Sequence, residues 1–238
     1  MILPGAQPSG SVGEDEFFNI ELAVGQHGVD YNFGEVLSAA SINKRMLLGS
    51  TPPMTLVVAE RLGLASASVQ GTDGDDAITV DINGASIQVR VNNDPARTFD
   101  VAAVKLVTID AADGDDTVTI NGAAAAELAH FQPHYVGFRR DDLPLADALG
   151  YGLVVLESEQ LIVSAGANQG DLAVFQDSPA GDSATAGGAT ATVSWSNSGA
   201  TAQALSFGKV RLVSRSGGTD TVSEQTHDFL LERLGDWL

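Results

Sequence analysis

The sequence predicts an all-β chain built around a right-handed parallel β-helix or β-roll solenoid. Three observations favour this fold class: short runs of alternating apolar and polar residues, acidic Gly-Asp-Asp turns beside these runs, and the return of one such segment after 40 residues. Tandem β-sandwiches are the alternative fold, and antiparallel strands joined by tight hairpins would favour them. The solenoid is predicted to span residues 65–238, after a segment of different character at residues 1–64.

Composition limits the classes of function that the chain can have. The 238 residues include 31 acidic and 12 basic side chains, which gives a net charge of −19. Because such a chain repels phosphate backbones and anionic lipid surfaces, neither nucleic acid nor membrane is an expected partner. The lack of cysteine excludes a disulfide framework, a thiolate zinc site and a thiol nucleophile. An apolar fraction of 44% indicates a folded body rather than an acidic disordered tail.

The first 64 residues mix loop signals with short apolar runs. Residues 17–24 form an apolar run that predicts a strand, and a second strand is expected at residues 29–33 after a turn flanked by glycines. Pro52 and Pro53 interrupt the next segment, so any helix there is expected to begin at Met54. We interpret this region as the remnant of one module followed by a connector.

From residue 65 onward, short alternating strands dominate the pattern. Ile78 and Ile82 share one face of a predicted strand. The alternation resumes after the Asn83-Gly84 turn, where a hairpin between Ile82 and Ile87 is equally consistent with the sequence. Further strand signals follow at residues 118–120, 153–163, 172–175, 190–195 and 209–213. The repeating unit is therefore a strand plus a tight polar turn.

Helix signals interrupt this pattern in three places. The alanine-rich run at residues 123–129 has high helix propensity, and residues 141–149 are expected to form another short helix. At the C-terminus, Thr226 is suited to cap a helix with an apolar stripe formed by Phe229, Leu230, Leu234 and Trp237. That helix is predicted to cover the open end of the sheet stack.

The acidic turns are the most informative motif. Residues 71–80 (GTDGDDAITV) and 111–120 (AADGDDTVTI) are near copies, with a weaker copy at 216–222 and a degenerate one at 170–175. Their pattern, Gly-x-x-Gly-x-Asp-x-(Ile/Val)-x, resembles the nonapeptide of haemolysin-type (RTX) calcium-binding repeats, which form parallel β-rolls. The resemblance implies calcium as a cofactor, because carboxylate and carbonyl oxygens suit a hard cation. The candidate ligands are Asp73, Asp75, Asp76, Asp94, Asp113, Asp115, Asp116 and Asp220.

The spacing of the turns predicts how such an ion would be held. If one turn of the solenoid takes ~20 residues, Asp76, Asp94 and Asp116 lie on successive rungs about 4.8 Å apart. A bound calcium would then use neighbours from rung to rung, with Asp94 between Asp76 and Asp116. Turn chemistry alone is the other explanation, because aspartate hydrogen-bonds its own backbone and glycine tolerates positive φ.

A longer stretch, residues 65–238, is similar to repeat modules in very large secreted surface proteins of planctomycete-type bacteria. The similarity rests on residues 115–120 (DDTVTI), 171–182 (DLAVFQDSPAGD), and 207–210 (FGKV) leading to 217–221 (GGTDT). The same proteins often carry SdrD/Cna B-type β-sandwich modules, and residues 30–35 (DYNFGE) resemble the last strand of one. The resemblance implies an extracellular or cell-surface chain with an adhesive or scaffolding role and no catalytic residues.

We therefore expect a non-catalytic structural or adhesive module that contacts neighbouring modules of the same long chain, surface glycans or surface proteins. The alternative is a polysaccharide-cleaving β-helix enzyme, because such folds host lyases and hydrolases that use clustered carboxylates. His130 and His134 have the spacing of two zinc ligands on one helical face, but Pro133 interrupts a helix there and argues against zinc.

Overall fold

A computed structural model describes residues 11–12, 17–18, 64–166 and 170–238. The chain divides into two units, residues 1–38 and 39–238. In the first unit, β1 (Ser11–Val12) pairs antiparallel with β2 (Phe17–Phe18). The other predictions for residues 1–63, including the sandwich remnant, the connector and the helix after the two prolines, lie outside the described residues.

The second unit is built from strands throughout its described part. Most of these strands are five or six residues long, which suits a small two-sheet solenoid. In chain order they are β3 (Ser66–Gln70), β4 (Ala77–Ile82), β5 (Ser86–Val91), β6 (Arg97–Asp100), β7 (Leu106–Asp110), β8 (Thr117–Asn121), β9 (Glu127–Gln132), β10 (Tyr135–Arg140), β11 (Gly152–Leu156), β12 (Gln160–Ser164), β13 (Leu172–Gln176), β14 (Ser183–Gly188), β15 (Thr190–Ser194), β16 (Thr201–Leu205), β17 (Lys209–Val213), β18 (Thr221–His227) and β19 (Leu230–Leu234).

These strands form two sheets. Sheet I has the order β19-β17-β13-β9-β10-β11-β7-β3, and sheet II has the order β18-β14-β15-β16-β12-β8-β4-β5-β6. The chain crosses repeatedly from one sheet to the other, and strands of successive turns stack in parallel, as in β3 with β7 and β4 with β8. The result is a β-solenoid of about four turns, which confirms the predicted fold class.

Antiparallel meanders are inserted into the solenoid at regular intervals. Three consecutive strands pair antiparallel in β4-β5-β6, β9-β10-β11 and β14-β15-β16, so every fifth strand begins a meander. Because an odd number of antiparallel strands restores the original direction, the chain leaves each meander ready to continue the parallel stack. The first meander contains the hairpin that pairs Ile82 with Ile87, so hairpins and solenoid turns coexist in this fold.

The core lies between the two sheets. Alternate residues of most strands point inward, as Ile78, Val80 and Ile82 do in β4, which confirms the predicted apolar face. The rings of Phe131 and Phe175 stack across neighbouring strands with centroids 4.5 Å apart. Full burial of each such side chain contributes about 1.5–3 kcal/mol relative to exposure.

The three helix predictions are wrong, since the described residues contain strands and turns at these positions. The alanine-rich run leads directly into β9, and residues 141–149 form turns and bends. The predicted capping helix is replaced by β18 and β19, with Leu230 and Leu234 paired to the exposed edge of β17. Where the apolar residues of a segment fit both the helix period and the strand period, pairing with neighbouring strands decides the structure rather than helix propensity.

No helix among the described residues is long and apolar enough to cross a membrane.

Candidate functional site

The turns that lead from sheet I to sheet II place acidic residues in one structural position. Five acidic residues each stand immediately before a strand of sheet II. Parallel stacking of β4, β8 and β12 brings the first three together, and stacking of β14 with β18 brings the last two together. We call this set the acidic ladder: Asp76, Asp116 and Glu159 in the first group, and Asp182 and Asp220 in the second.

Each step of the acidic ladder is a hydrogen bond between rungs. The Asp76 backbone N–H donates to Asp116 Oδ1 at 2.8 Å, and the Asp116 N–H donates to Glu159 Oε2 at 2.8 Å. In the second group the Asp182 N–H donates to Asp220 Oδ1 at 2.9 Å. A carboxylate of one turn therefore satisfies the buried amide of the turn before it, and charge-assisted bonds of this kind are stronger than neutral ones.

The first carboxylate of each group has local donors instead of a donor from a preceding rung. Asp76 Oδ2 accepts from the Thr72 backbone N–H at 2.5 Å and Oδ1 accepts from the Thr72 hydroxyl at 3.1 Å, while Asn92 Nδ2 also donates to Oδ1. Asp182 repeats the arrangement with the N–H and hydroxyl of Ser178 at 2.6 and 2.9 Å. The two groups are therefore built on the same local plan.

Glycine is required where neighbouring acidic turns touch. A Cβ atom at Gly71 would lie 2.4 Å from the Ala111 carbonyl oxygen, and one at Gly114 would lie 2.8 Å from the carbonyl of Gly74. Gly114 also has φ of +140°, a conformation that disfavours L side chains. The glycines of the repeated motif thus allow successive turns to pack closely.

Burial affects the electrostatics of the ladder. Asp116 is fully buried, and its Oδ2 atom has no hydrogen-bond partner within the described residues. Burial raises the pKa of Asp116, the bond from the Asp76 amide opposes that rise, and the neighbouring Glu159 and Asp76 carboxylates add to it. The Asp116 carboxylate therefore accepts its bond from the neighbouring rung in an environment that disfavours its charge.

The opposite edge of the solenoid, where the chain returns from sheet II to sheet I, carries a second buried carboxylate. Glu127 is fully buried, and its Oε1 accepts from the Ala123 N–H at 2.7 Å and from the Tyr151 hydroxyl. The Glu127 N–H in turn donates to Asp171 Oδ1 at 2.8 Å. Burial raises the pKa of Glu127 to about 7, against the bonds from Tyr151 and from the backbone. Sequence reasoning missed this residue because it ends an alanine run with helix propensity.

The predicted calcium ligands are divided by the structure into two sets. Asp76, Asp116 and Asp220 are buried, and their carboxylates accept hydrogen bonds in the turns or, for Asp116 and Asp220, between rungs. The other predicted ligands are exposed: Asp73, Asp75, Asp94, Asp113 and Asp115. Among the described residues no group of three or more acidic or histidine side chains has the arrangement of a metal site.

The predicted rung order, with Asp94 between Asp76 and Asp116, is wrong. Asp76 and Asp116 are on adjacent rungs, because Ala77 pairs with Thr117 in parallel strands. Asp94 follows β5, which pairs antiparallel with β4 on the side away from β8. Asn92, rather than Asp94, is the residue of that turn that reaches Asp76.

The two histidines of the suggested zinc pair are separated by strand geometry. His130 lies within β9 and His134 in the turn that follows it, with φ of 59°. His134 Nδ1 is 3.3 Å from Glu159 Oε1, whereas His130 lines a groove on the outer face of sheet I. The Arg139 and Arg140 side chains form ion pairs with Asp141 and Asp142 in the turn that follows β10.

The fold and its buried carboxylates define this chain as a β-solenoid with carboxylate-to-amide bonds between its turns. Comparison of the chain with protein-family models, curated proteins and solved structures gives no match.

Proposed function

We propose that this chain is a non-catalytic structural or adhesive module of a larger extracellular or cell-surface protein. The observation that carries the proposal is the acidic ladder, in which carboxylates of one turn bind backbone amides of the turn before it. The most repeated motif of the sequence is thereby used to join one rung to the next, which is the requirement of an elongated scaffold.

Burial of the ladder supports a structural role over a catalytic one. A general acid or base must reach a substrate proton, and Asp116 and Asp220 are fully buried. Glu127 has a pKa raised to about 7, but it is enclosed by Tyr151 and the Ala123 backbone inside the solenoid. The carboxylates with unusual environments therefore contact the protein's own backbone.

Calcium belongs to the proposal as a stabilising ion at the exposed ends of the acidic turns. The carboxylates of Asp73, Asp75 and Asp115 face solvent, and the Asp115 N–H donates to Asp75 Oδ1 at 3.0 Å across adjacent turns. Carboxylates held on adjacent turns repel one another, and a divalent cation bound between them would relieve that repulsion. Thermal melting in calcium and in magnesium at matched ionic strength tests this part: a higher melting temperature in calcium alone supports it, and identical curves refute it.

Two measurements test the non-catalytic surface role. Incubation with a panel of acidic and neutral polysaccharides is expected to release no reducing ends. If reducing ends are released, and the Asp116→Asn variant no longer releases them, the enzyme alternative is established.

Brief protease treatment of intact cells that produce the full-length protein is expected to free peptides from this chain. If those peptides appear only after cell lysis, the surface assignment is wrong.

A further inference from the structure

A groove on the outer face of sheet I is separate from the acidic ladder. It has a volume of about 520 Å³, within the range of sites for small ligands. β9, β10, β13 and the end of β17 contribute its lining, together with the loop after β10. We call it the outer groove; its main lining residues are Leu128, His130, Tyr135, Val174, Val213 and Arg215.

Strand alternation and one glycine create the outer groove. Ala129 and Phe131 of β9 point into the core, so Leu128 and His130 point outward. Gly137 lies in the middle of β10 and lines the groove without a side chain to fill it. The resulting floor is apolar.

A buried lysine holds one wall of the outer groove in place. The Lys105 ammonium group donates to the carbonyls of Val101, Asp147 and Ala148 at 2.7, 2.7 and 3.0 Å. These bonds fix the loop at residues 141–149, from which Leu145 lines the groove and packs beside Leu106 and Val154. The wall is therefore preorganised, which lowers the entropic cost of ligand binding.

Three polar side chains in the outer groove are neither hydrogen-bonded nor ion-paired within the part of the chain that the structure describes. Among residues 64–166 and 170–238, the side chains of His130, Tyr135 and Arg215 make no hydrogen bond and no ion pair with one another or with the rest. Burial lowers the pKa of His130, and the positive charge of Arg215 lowers it further. Of the two arginines that line the groove, Arg139 pairs with Asp141, whereas Arg215 has no ion pair among the described residues and leaves one unpaired positive charge there, in a chain whose net charge is −19.

We infer that the outer groove binds a small organic anion with an apolar body, such as an aromatic or acyl carboxylate. The apolar body would lie on Leu128 and Val174, and the anionic group would bind the Arg215 guanidinium, whose planar donors suit carboxylate and sulfonate oxygens. The size of the groove and its unpaired cation favour this ligand class over a metal ion or a neutral glycan. This inference is independent of the scaffold role.

A pair of fluorescent probes tests the inference on the full chain. Anilinonaphthalene sulfonate carries an apolar ring system and one negative charge, and phenyl-naphthylamine carries a similar ring system without the charge. We expect the sulfonate to bind at one site and about tenfold (about 1.4 kcal/mol) more tightly than the uncharged probe, because only the sulfonate can form a charge-assisted hydrogen bond with Arg215. Equal affinities for the two probes would overturn the inference.

Variants locate the probe. Arg215→Gln is expected to weaken the sulfonate about tenfold and leave the uncharged probe unchanged, since only the charged contact is removed. Arg90→Gln, an exposed arginine on β5, is the matched control and is expected to bind as the unaltered chain does. Val174→Trp should fill the groove and abolish binding of both probes. Unchanged binding in Arg215→Gln or in folded Val174→Trp would show that the probe lies elsewhere, for example on the exposed Leu230, Leu234 and Leu238.

Competition extends the test to carboxylates. Phenylpropanoate is expected to displace the sulfonate probe, and the uncharged phenylpropanol is expected to displace it far less. If the two displace it equally, the anionic part of the inference is wrong. Circular dichroism of each variant confirms that the fold is retained, and the comparison of the two probes on the unaltered chain holds even if Val174→Trp does not fold.

Discussion

Both edges of the solenoid supply carboxylate acceptors to backbone N–H groups in the turns, but only one edge carries a repeated motif in the sequence. At the edge that leads from sheet I to sheet II, repeated aspartates accept backbone N–H groups from neighbouring turns. At the other edge, Glu127 accepts from the Ala123 amide and from Tyr151, and Asp171 accepts from the Glu127 amide. Buried amides at a turn need acceptors wherever the turn lies. The comparison teaches that the repeat motif marks only part of the carboxylate network that joins the rungs.

Removing the Glu127 carboxylate, at the edge without a repeated motif, is expected to have the largest effect on the free energy of unfolding. Glu127→Ala leaves the Ala123 amide and the Tyr151 hydroxyl without their acceptor inside the fold, so the free energy of unfolding should fall by roughly 3–5 kcal/mol. Urea unfolding measures this loss. Glu232→Ala, which removes a partly exposed partner of Arg211, is the control and should cost less than about 1 kcal/mol. Similar losses in the two variants would mean that Glu127 is not a central support.

The same edge should make stability depend on pH. The pKa of Glu127 is raised from its ordinary 4.5 to about 7, so the folded chain holds a proton that the unfolded chain releases between these values. The free energy of unfolding should therefore fall as pH rises from 4.5 to 7, by on the order of 3 kcal/mol, and then level off.

Urea unfolding measures this dependence from about pH 4 to pH 8, which is roughly the range over which carboxyl and histidine groups titrate. Glu127→Gln cannot titrate, so the difference between its profile and that of the unaltered chain isolates Glu127. Parallel profiles would show that Glu127 does not cause the pH dependence of stability, and that the two edges of the solenoid do not differ in this respect.

At the acidic ladder the expected effect is smaller and depends on the acceptor atom. Asp116→Ala should lower the free energy of unfolding by about 1–3 kcal/mol, because the Asp76 amide loses its acceptor. Asp116→Asn retains an oxygen acceptor and relieves the charge repulsion with Glu159, so it should change stability by less than about 1 kcal/mol. Asp115→Ala, on the exposed neighbour, is the control. If Asn and Ala are equally costly, charge rather than hydrogen bonding holds the ladder.

The smallest effect on the free energy of unfolding is expected at Asp94, whose turn was predicted on the wrong rung. Asp94 is exposed and lies on the far side of β4 from Asp116, so Asp94→Asn should change the free energy of unfolding by less than about 0.5 kcal/mol. Any calcium-dependent rise in melting temperature should be the same in Asp94→Asn as in the unaltered chain. A lost calcium response would restore Asp94 to the proposed ion site.

Several features of the fold followed from the sequence alone. The alternation in β4 and β8 predicted which residues face the core, and the 40-residue spacing of the near copies matches the pairing of Ala77 with Thr117. Local steric demands explain why: a tight turn needs glycine, and a half-buried strand needs alternate apolar residues. These requirements act on single residues and their nearest neighbours.

Other features were decided only by the tertiary structure. The C-terminal apolar residues became β19 because the edge of β17 offers unpaired backbone groups, and Glu127 became a buried acceptor because Tyr151 lies 24 residues away in sequence but beside it in space. The outer groove likewise combines β9, β13 and the loop that Lys105 holds. Contacts between distant segments have no local signature, since pairing between strands chooses among several patterns that the sequence permits.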